Sequence, residues 1–282
     1  MSDLWRLRIQ HRTVHTYSTP VTGSYNEIRM QPVDTAGQAV LATSVELHPN
    51  EGSMTFYDYF GTQVTSFDLH RPHETLTINV TTTVETSTPQ RAKGIQLDWV
   101  RLRQPETTED LSEFLAATPL TTLTDDLRAE ADALVRDVPA ATAEQICSWV
   151  NRQLNYMTGT THVHSSAAEA WEARSGVCQD FSHLSIAMMR YLGIPARYVS
   201  GYLHPRTDPE IGEPVRGESH AWVEYFVGHW RSWDPTNDKP PGPGHVFTGR
   251  GRDYADVPPM RGLFAGGVSS EVSAEVIITR LR

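Results

Sequence analysis

The stretch Ser175-Gly176-Val177-Cys178-Gln179-Asp180-Phe181 opens a run in which Phe181, Leu184, Met188 and Leu192 recur at helical spacing, before Gly193-Ile194-Pro195 ends it. The spacing predicts a helix that starts at or just before Cys178 and presents one face to a core. A sulfur in the first turn of a helix lies at the positive end of the backbone dipole, beside N–H groups with no partner inside the helix. That place favours thiolate over thiol and points to a nucleophilic cysteine. Taken alone, a free cysteine is more often a packed hydrophobe, so the reading depends on partners.

Partners follow in chain order. Beyond the helix the pattern changes to period two over residues 196–203, 220–227 and 230–234. A turn centred on Gly228 folds the last two into an antiparallel hairpin with Trp222 opposite Asp234. His220 and Asp234 then share one sheet face, whereas a one-residue slip would part them. Pro235 stops the strand just past the carboxylate. The expected chemistry is attack of the Cys178 thiolate on an amide or ester carbonyl, with His220 protonating the leaving amine and Asp234 orienting the ring. Water or an amine then resolves the acyl-enzyme, giving hydrolysis or transamidation. The Cys178 backbone N–H is one expected oxyanion donor, and Tyr156 is the candidate for a second. Gln179 and Trp222 are further candidates for oxyanion or substrate contact.

Composition frames this. The 282 residues, 39% hydrophobic and 21% charged, suffice for two ordinary cores. A formal charge of -10 argues against nucleic-acid or anionic-membrane partners. No apolar stretch approaches the roughly 20 residues of a membrane span, and Met1–Gln10 does not read as a signal peptide, so the expectation is a cytoplasmic protein. With two cysteines, Cys147 and Cys178, a disulfide framework or four-thiolate zinc site within one chain is excluded. Cys147 shares a helical face with Val150 and Leu154 and reads as a small buried hydrophobe.

Residues 1–95 read as an antiparallel β-sandwich-like domain, from the alternation of Trp5, Leu7 and Ile9 and of Leu76, Ile78, Val80, Thr82 and Val84. Residues 87–109, with Pro89 and Pro105, read as the connection. Residues 96–282 read as the catalytic domain, with helices over 111–117, 125–137 and 143–154, Thr124 capping the second. Val272, Ala274, Val276 and Ile278 mark a final strand at about 271–281, free to pair with the first domain. The fold class is α+β.

Four segments resemble the bacterial transglutaminase-like family: Gly176-Val177-Cys178-Gln179-Asp180-Phe181, residues 192–202, Ser219-His220-Ala221-Trp222-Val223-Glu224 and Trp233-Asp234-Pro235-Thr236-Asn237. The likeness extends to residues 251–259 and to the N-terminal β region. It implies a papain-like core, a helical subdomain carrying cysteine against a sheet carrying histidine and aspartate, with Cys178, His220 and Asp234 as the triad. It implies a peptide or protein amide substrate, with or without an amine acceptor. No cofactor or metal is implied, because the calcium sites and extra β domains of animal transglutaminases have no match here. In those relatives a tryptophan upstream of the cysteine binds the oxyanion; Trp149 and Trp171 lack a matching motif, whereas Tyr156 resembles an aromatic of the bacterial relatives.

Rival readings are a non-enzymatic binding module on the same scaffold and a His-ligated metalloenzyme built on His162 and His164 with His183 or His220. His183 alone reads as a packing residue, Asp180 as a helix-start carboxylate, and the loop Arg250-Gly251-Arg252-Asp253 as packing over the site. Trp222, Tyr225, Trp230 and Trp233 read as split between substrate cleft and core. No repeat or heptad indicates an oligomeric state.

Overall fold

The computed structural model describes residues 4–88 and 95–282. Residues 89–94, in the first part of the expected connection, lie outside the described residues. The N-terminal strand β1 (Leu4–Ile28) buries Trp5, Leu7, Ile9, His11 and Thr13 in alternation, the period-two signature of its sequence. Its first half pairs antiparallel with β5 (His73–Ser87), to which β2 (Gln38–His48) adds. Its second half pairs with β4 (Gln63–Leu69), which pairs in turn with β3 (Met54–Tyr57). The two arms face one another across Tyr17, Ile28, Leu47, Phe67, Leu69, Leu76 and Ile78, which form one buried cluster. That is the antiparallel, sandwich-like domain expected.

The helical part begins with the single turns α1 (Trp99–Leu102) and α2 (Pro105–Thr108), followed by α3 (Asp125–Ala133) and α4 (Pro139–Gln153). Residues 111–117 do not form the expected helix. Only Ser112–Phe114 winds, as a 3-10 turn, and only Phe114 of it is buried, too little apolar surface to stabilise more. Thr124 precedes α3, but its hydroxyl bonds the side chain of Asp126 and makes no cap bond to the backbone. Strand β6 (Asn155–Tyr156) lies parallel to β7 (Ser175–Gly176), and α5 (Ala167–Ala173) runs between them.

Helix α6 (Cys178–Tyr191) is buried from Gln179 to Arg190 on every side, not on the one face its apolar spacing predicts. The sheet covers one side and α3, α4 and α5 the others, so Ser182, His183 and Ser185 are also enclosed. Each fully buried side chain of leucine size contributes about 1.5–3 kcal/mol. At the far end of the helix the buried Arg190 guanidinium donates to Ala196 O, Ala116 O, Thr121 Oγ1 and Arg252 O, tying α6 to three separate segments of the chain.

The sheet beneath α6 consists of β8 (Ala196–Leu203), β9 (Pro214–Phe226), β10 (Trp230–Trp233) and β11 (His245–Gly251). After β12 (Met260–Gly266), which pairs with β1, the last strand β13 (Ser269–Arg280) inserts between β1 and β9. The last strand thus pairs with the N-terminal domain as well as with the C-terminal sheet, and one sheet runs through the seam. Beside that seam His11 Nδ1 donates to Tyr202 Oη at 2.9 Å, and Tyr202 donates to Met30 O at 2.9 Å. No helix among the described residues is long and apolar enough to cross a membrane.

Candidate active site

Cys178 is the first residue of α6. Asp180 Oδ2 turns back to accept the Val177 N–H at 2.7 Å and the Thr161 hydroxyl at 2.7 Å, which closes the helix start. Gly176 makes this possible, because a Cβ there would lie 2.5 Å from Asp180 Oδ2. Burial raises the Asp180 pKa, with these hydrogen bonds opposing it. Asp180 is thus the helix-start carboxylate that its position predicts.

The hairpin has the predicted register. Trp230 pairs with Phe226 and Trp233 with Val223, which sets Asp234 opposite Trp222, and Gly228 takes the turn with φ of 100°. His220 Nε2 lies 2.8 Å from Asp234 Oδ2 and donates to it, since a carboxylate has no proton to give. Cys178 acts on the same ring electrostatically. Burial by itself would lower the pKa of His220; the Asp234 hydrogen bond and the Cys178 interaction outweigh it and raise the value to about 10. For Asp234, likewise, burial pulls upward but the bonds from His220 and His245 prevail and hold the carboxyl far below its ordinary range. Asp234 is fully buried.

The loop after β10 completes the carboxylate's shell. Asp234 Oδ1 accepts the backbone N–H groups of Thr236 at 3.0 Å and Asn237 at 3.1 Å, while Asn237 Nδ2 donates to Oδ2 at 2.7 Å. Asn151 of α4 holds the loop from outside by donating to Pro235 O and Thr236 O. His245 is the residue that sequence reasoning missed. Its Nε2 sits 3.0 Å from the same Asp234 Oδ2, and its Nδ1 accepts the Gly242 N–H at 3.2 Å. It follows a Pro- and Gly-rich loop, residues 240–244, where no periodicity flags the next side chain.

The other candidates separate. Tyr156, on β6, is half exposed; burial first, then the charges of Cys178 and Glu218, push its hydroxyl up to about 12, so it remains a protonated phenol able to donate. Gln179 is buried and points its amide at Val163 O at 3.3 Å. Trp222 is buried under the histidines, 6.2 Å from the His220 ring and edge-on to His245 at 5.4 Å, and so supports the rings rather than lining a cleft. Tyr225 is likewise in the core, while Trp230 stacks on Arg197. Trp149 and Trp171 pack against each other 5.2 Å apart in the helical core.

The histidines proposed for a metal do not assemble. His162 and His164 are exposed, and His183 is fully enclosed with Nε2 accepting the Tyr254 N–H. Among the described residues the one trio close enough to share a cation is His220, Asp234 and His245. A ring nitrogen that accepts from Gly242 fixes the His245 proton on Nε2, the atom a cation would need, so the trio is built as a hydrogen-bond chain. A cavity of about 330 Å³ opens at the seam of the two sheet regions, lined by Ser219, Tyr254, His11, Tyr17, Met30 and Phe264 among others, and does not include His220 or Asp234 in its lining.

Comparison with known proteins matches residues 7–85 to the bacterial transglutaminase-like N-terminal region and residues 127–235 to the transglutaminase-like superfamily. An uncharacterized protein of Mycobacterium leprae is 38% identical over 99% of this chain and 100% of its own length. A protein-glutamine gamma-glutamyltransferase of Pseudomonas aeruginosa is 36% identical over 70 residues, 23% of this chain and 10% of that one. Among solved structures, a candidate cysteine protease from Cytophaga hutchinsonii superposes with a TM-score of 0.75 at 24% identity, covering 99% of this chain and 93% of that one. At that identity the likeness is one of fold.

Proposed function

The chain belongs to the transglutaminase-like superfamily, with the bacterial N-terminal region of that family, and from there we propose that it transfers acyl groups from amide substrates through a Cys178 thioester. The observation that supports the reading is a cysteine at the first residue of a buried helix that is among the groups raising the pKa of an imidazole bonded through Nε2 to a fully buried carboxylate. Asp234 occupies Nε2, which leaves Nδ1 of His220 for the sulfur. In the first half-reaction the thiolate adds to the carbonyl carbon, the C–N bond breaks, and the Nδ1 proton passes to the departing amine. In the second, His220 takes a proton from water or from an amine, whose attack releases the acid or the new amide and returns the thiolate. Asp234 supports the imidazolium that pairs with the thiolate before acylation and is restored once the second half-reaction is complete.

The developing oxyanion would meet the Cys178 backbone N–H and the Tyr156 phenol. A peptide or protein amide is the substrate class; the Pseudomonas relative's name, a glutamine gamma-glutamyl transfer, favours an amine acceptor beside water. The free, unpaired Cys147 and Cys178 fit a reducing compartment such as the cytoplasm. The test is mass analysis of peptide libraries incubated with the protein, with and without a primary amine. Amine incorporation means transamidation and cleavage alone means hydrolysis. Equal behaviour of wild type and Cys178→Ala overturns the proposal, and alkylation of Cys178 that is indifferent to His220→Ala favours a binding scaffold.

A further inference from the structure

We infer that His245 is a positioning residue: a permanently neutral N–H donor that keeps Asp234 ionised and limits how tightly it holds the His220 ring. The inference rests on the acyl-transfer reading of the same site.

Two hydrogen bonds define the device. Gly242 N–H points at His245 Nδ1 from 3.2 Å, so that nitrogen must carry a lone pair. The proton of the neutral ring is then on Nε2, which is 3.0 Å from Asp234 Oδ2. A second backbone bond, His245 N–H to Gly242 O at 2.9 Å, closes the loop around the ring, and the Trp222 edge packs against it. Burial lowers the pKa of His245; Asp234 opposes this, while the nearby His220 and Lys239 charges reinforce it. A charged ring would also turn a second N–H toward Gly242 N–H, donor against donor. Neutrality therefore stands on geometry before any titration.

The consequence falls on Oδ2, which accepts three donors: His220 Nε2, His245 Nε2 and Asn237 Nδ2. Oxygen electron density shared among three donors is less available to each one. With His245 absent, Asp234 binds the His220 imidazolium more strongly and neutralises more of its charge, so less of that charge is left to stabilise the Cys178 thiolate. The pH at which the sulfur becomes nucleophilic should then rise.

The first measurement needs no variant. Imidazole ¹⁵N spectra of the labelled wild-type protein should show His245 neutral and protonated on Nε2 from pH 5 to 9 while His220 is charged. A charged His245, or one protonated on Nδ1, overturns the inference. The second compares the pH profile of Cys178 alkylation by iodoacetamide in wild type, His245→Gln and His245→Phe. Glutamine can place an N–H donor where Nε2 sits, and its profile should overlay wild type. The phenylalanine profile should move to higher pH by roughly half a unit or more. Coincidence of the two variants' profiles overturns the inference, because a purely space-filling role would treat them alike. A wild-type profile untouched by His220→Ala would instead sink the acyl-transfer reading, and the His245 spectra report separately from it.

Discussion

Two buried histidines stand on neighbouring parts of one sheet and titrate in opposite directions. His11, at the seam between the domains, has Tyr202 and Thr13 as its polar neighbours, and burial lowers its pKa to about 4. His220 suffers the same burial, yet Asp234 and Cys178 raise it to about 10. Burial alone makes an imidazole a neutral structural group; burial with an ionised carboxylate makes it a cation store beside a sulfur. The two cysteines repeat the lesson. Cys147 is fully buried in α4, where burial raises its thiol pKa further, with a Ser185 hydrogen bond only partly opposing, whereas Cys178 is partly accessible at a helix start. The sharpest way to break this contrast is iodoacetamide on the folded protein. Cys178 should react about a thousandfold faster than Cys147 or more, with both reacting alike in urea. Comparable rates in the native state would erase the distinction.

The next effect isolates the carboxylate. Asp234→Asn preserves shape but removes the charge that separates His220 from His11, and amide turnover should fall by about 10²–10⁴. Ring titration by NMR should show His220 moving from alkaline values toward those of His11. Turnover within a factor of a few of wild type would show that Asp234 is structural.

The contrast also predicts stability against pH. The folded-state pKa of His11 is depressed from 6.5 to about 4, so this group's contribution is complete above pH 6.5 and is lost as pH falls toward 4. Its full size is at most about 3 kcal/mol. For His220 the sign is reversed: the folded value lies above the unfolded 6.5, and its contribution is present below pH 6.5 and lost as pH rises through about 10. Urea titrations of wild type and His11→Gln at pH 8 and pH 4.5 should show the variant losing less stability on acidification. An equal loss would mean that the His11 proton is taken up elsewhere.

Much of this site was legible because its parts are local. The start of α6 follows from the glycine-to-helix transition at Cys178, and the His220–Asp234 pairing follows from counting residues around Gly228. Distant contacts were not legible. His245 reaches Asp234 across an aperiodic loop, and Tyr156 is brought beside the start of α6 by a parallel pairing of Tyr156 with Gly176, two residues before Cys178. Apolar spacing also undercounted α6, because serine and histidine in a helix enclosed on all sides break no rule once their bonds are made, as Ser182 to Cys178 O and Ser185 to Phe181 O are.

The smallest effect separates the sulfur's reactivity from its catalysis. Tyr156 carries a hydroxyl whose pKa is pushed up to about 12, first by burial and then by the Cys178 and Glu218 charges. A phenol so held can donate to an oxygen that gains charge, but alkylation by iodoacetamide builds no such oxygen. Tyr156→Phe should therefore leave the alkylation rate and its pH profile where they are, while lowering kcat on amide substrates about tenfold with little change in KM. The Tyr156 ring lies 6.3 Å from that of Phe181, a contact phenylalanine keeps, so the variant removes the donor and little else. If kcat is unchanged, the second oxyanion donor is another group. If alkylation falls as well, Tyr156 acts on the thiolate itself, and the division between making a nucleophile and stabilising its product is wrong at this residue.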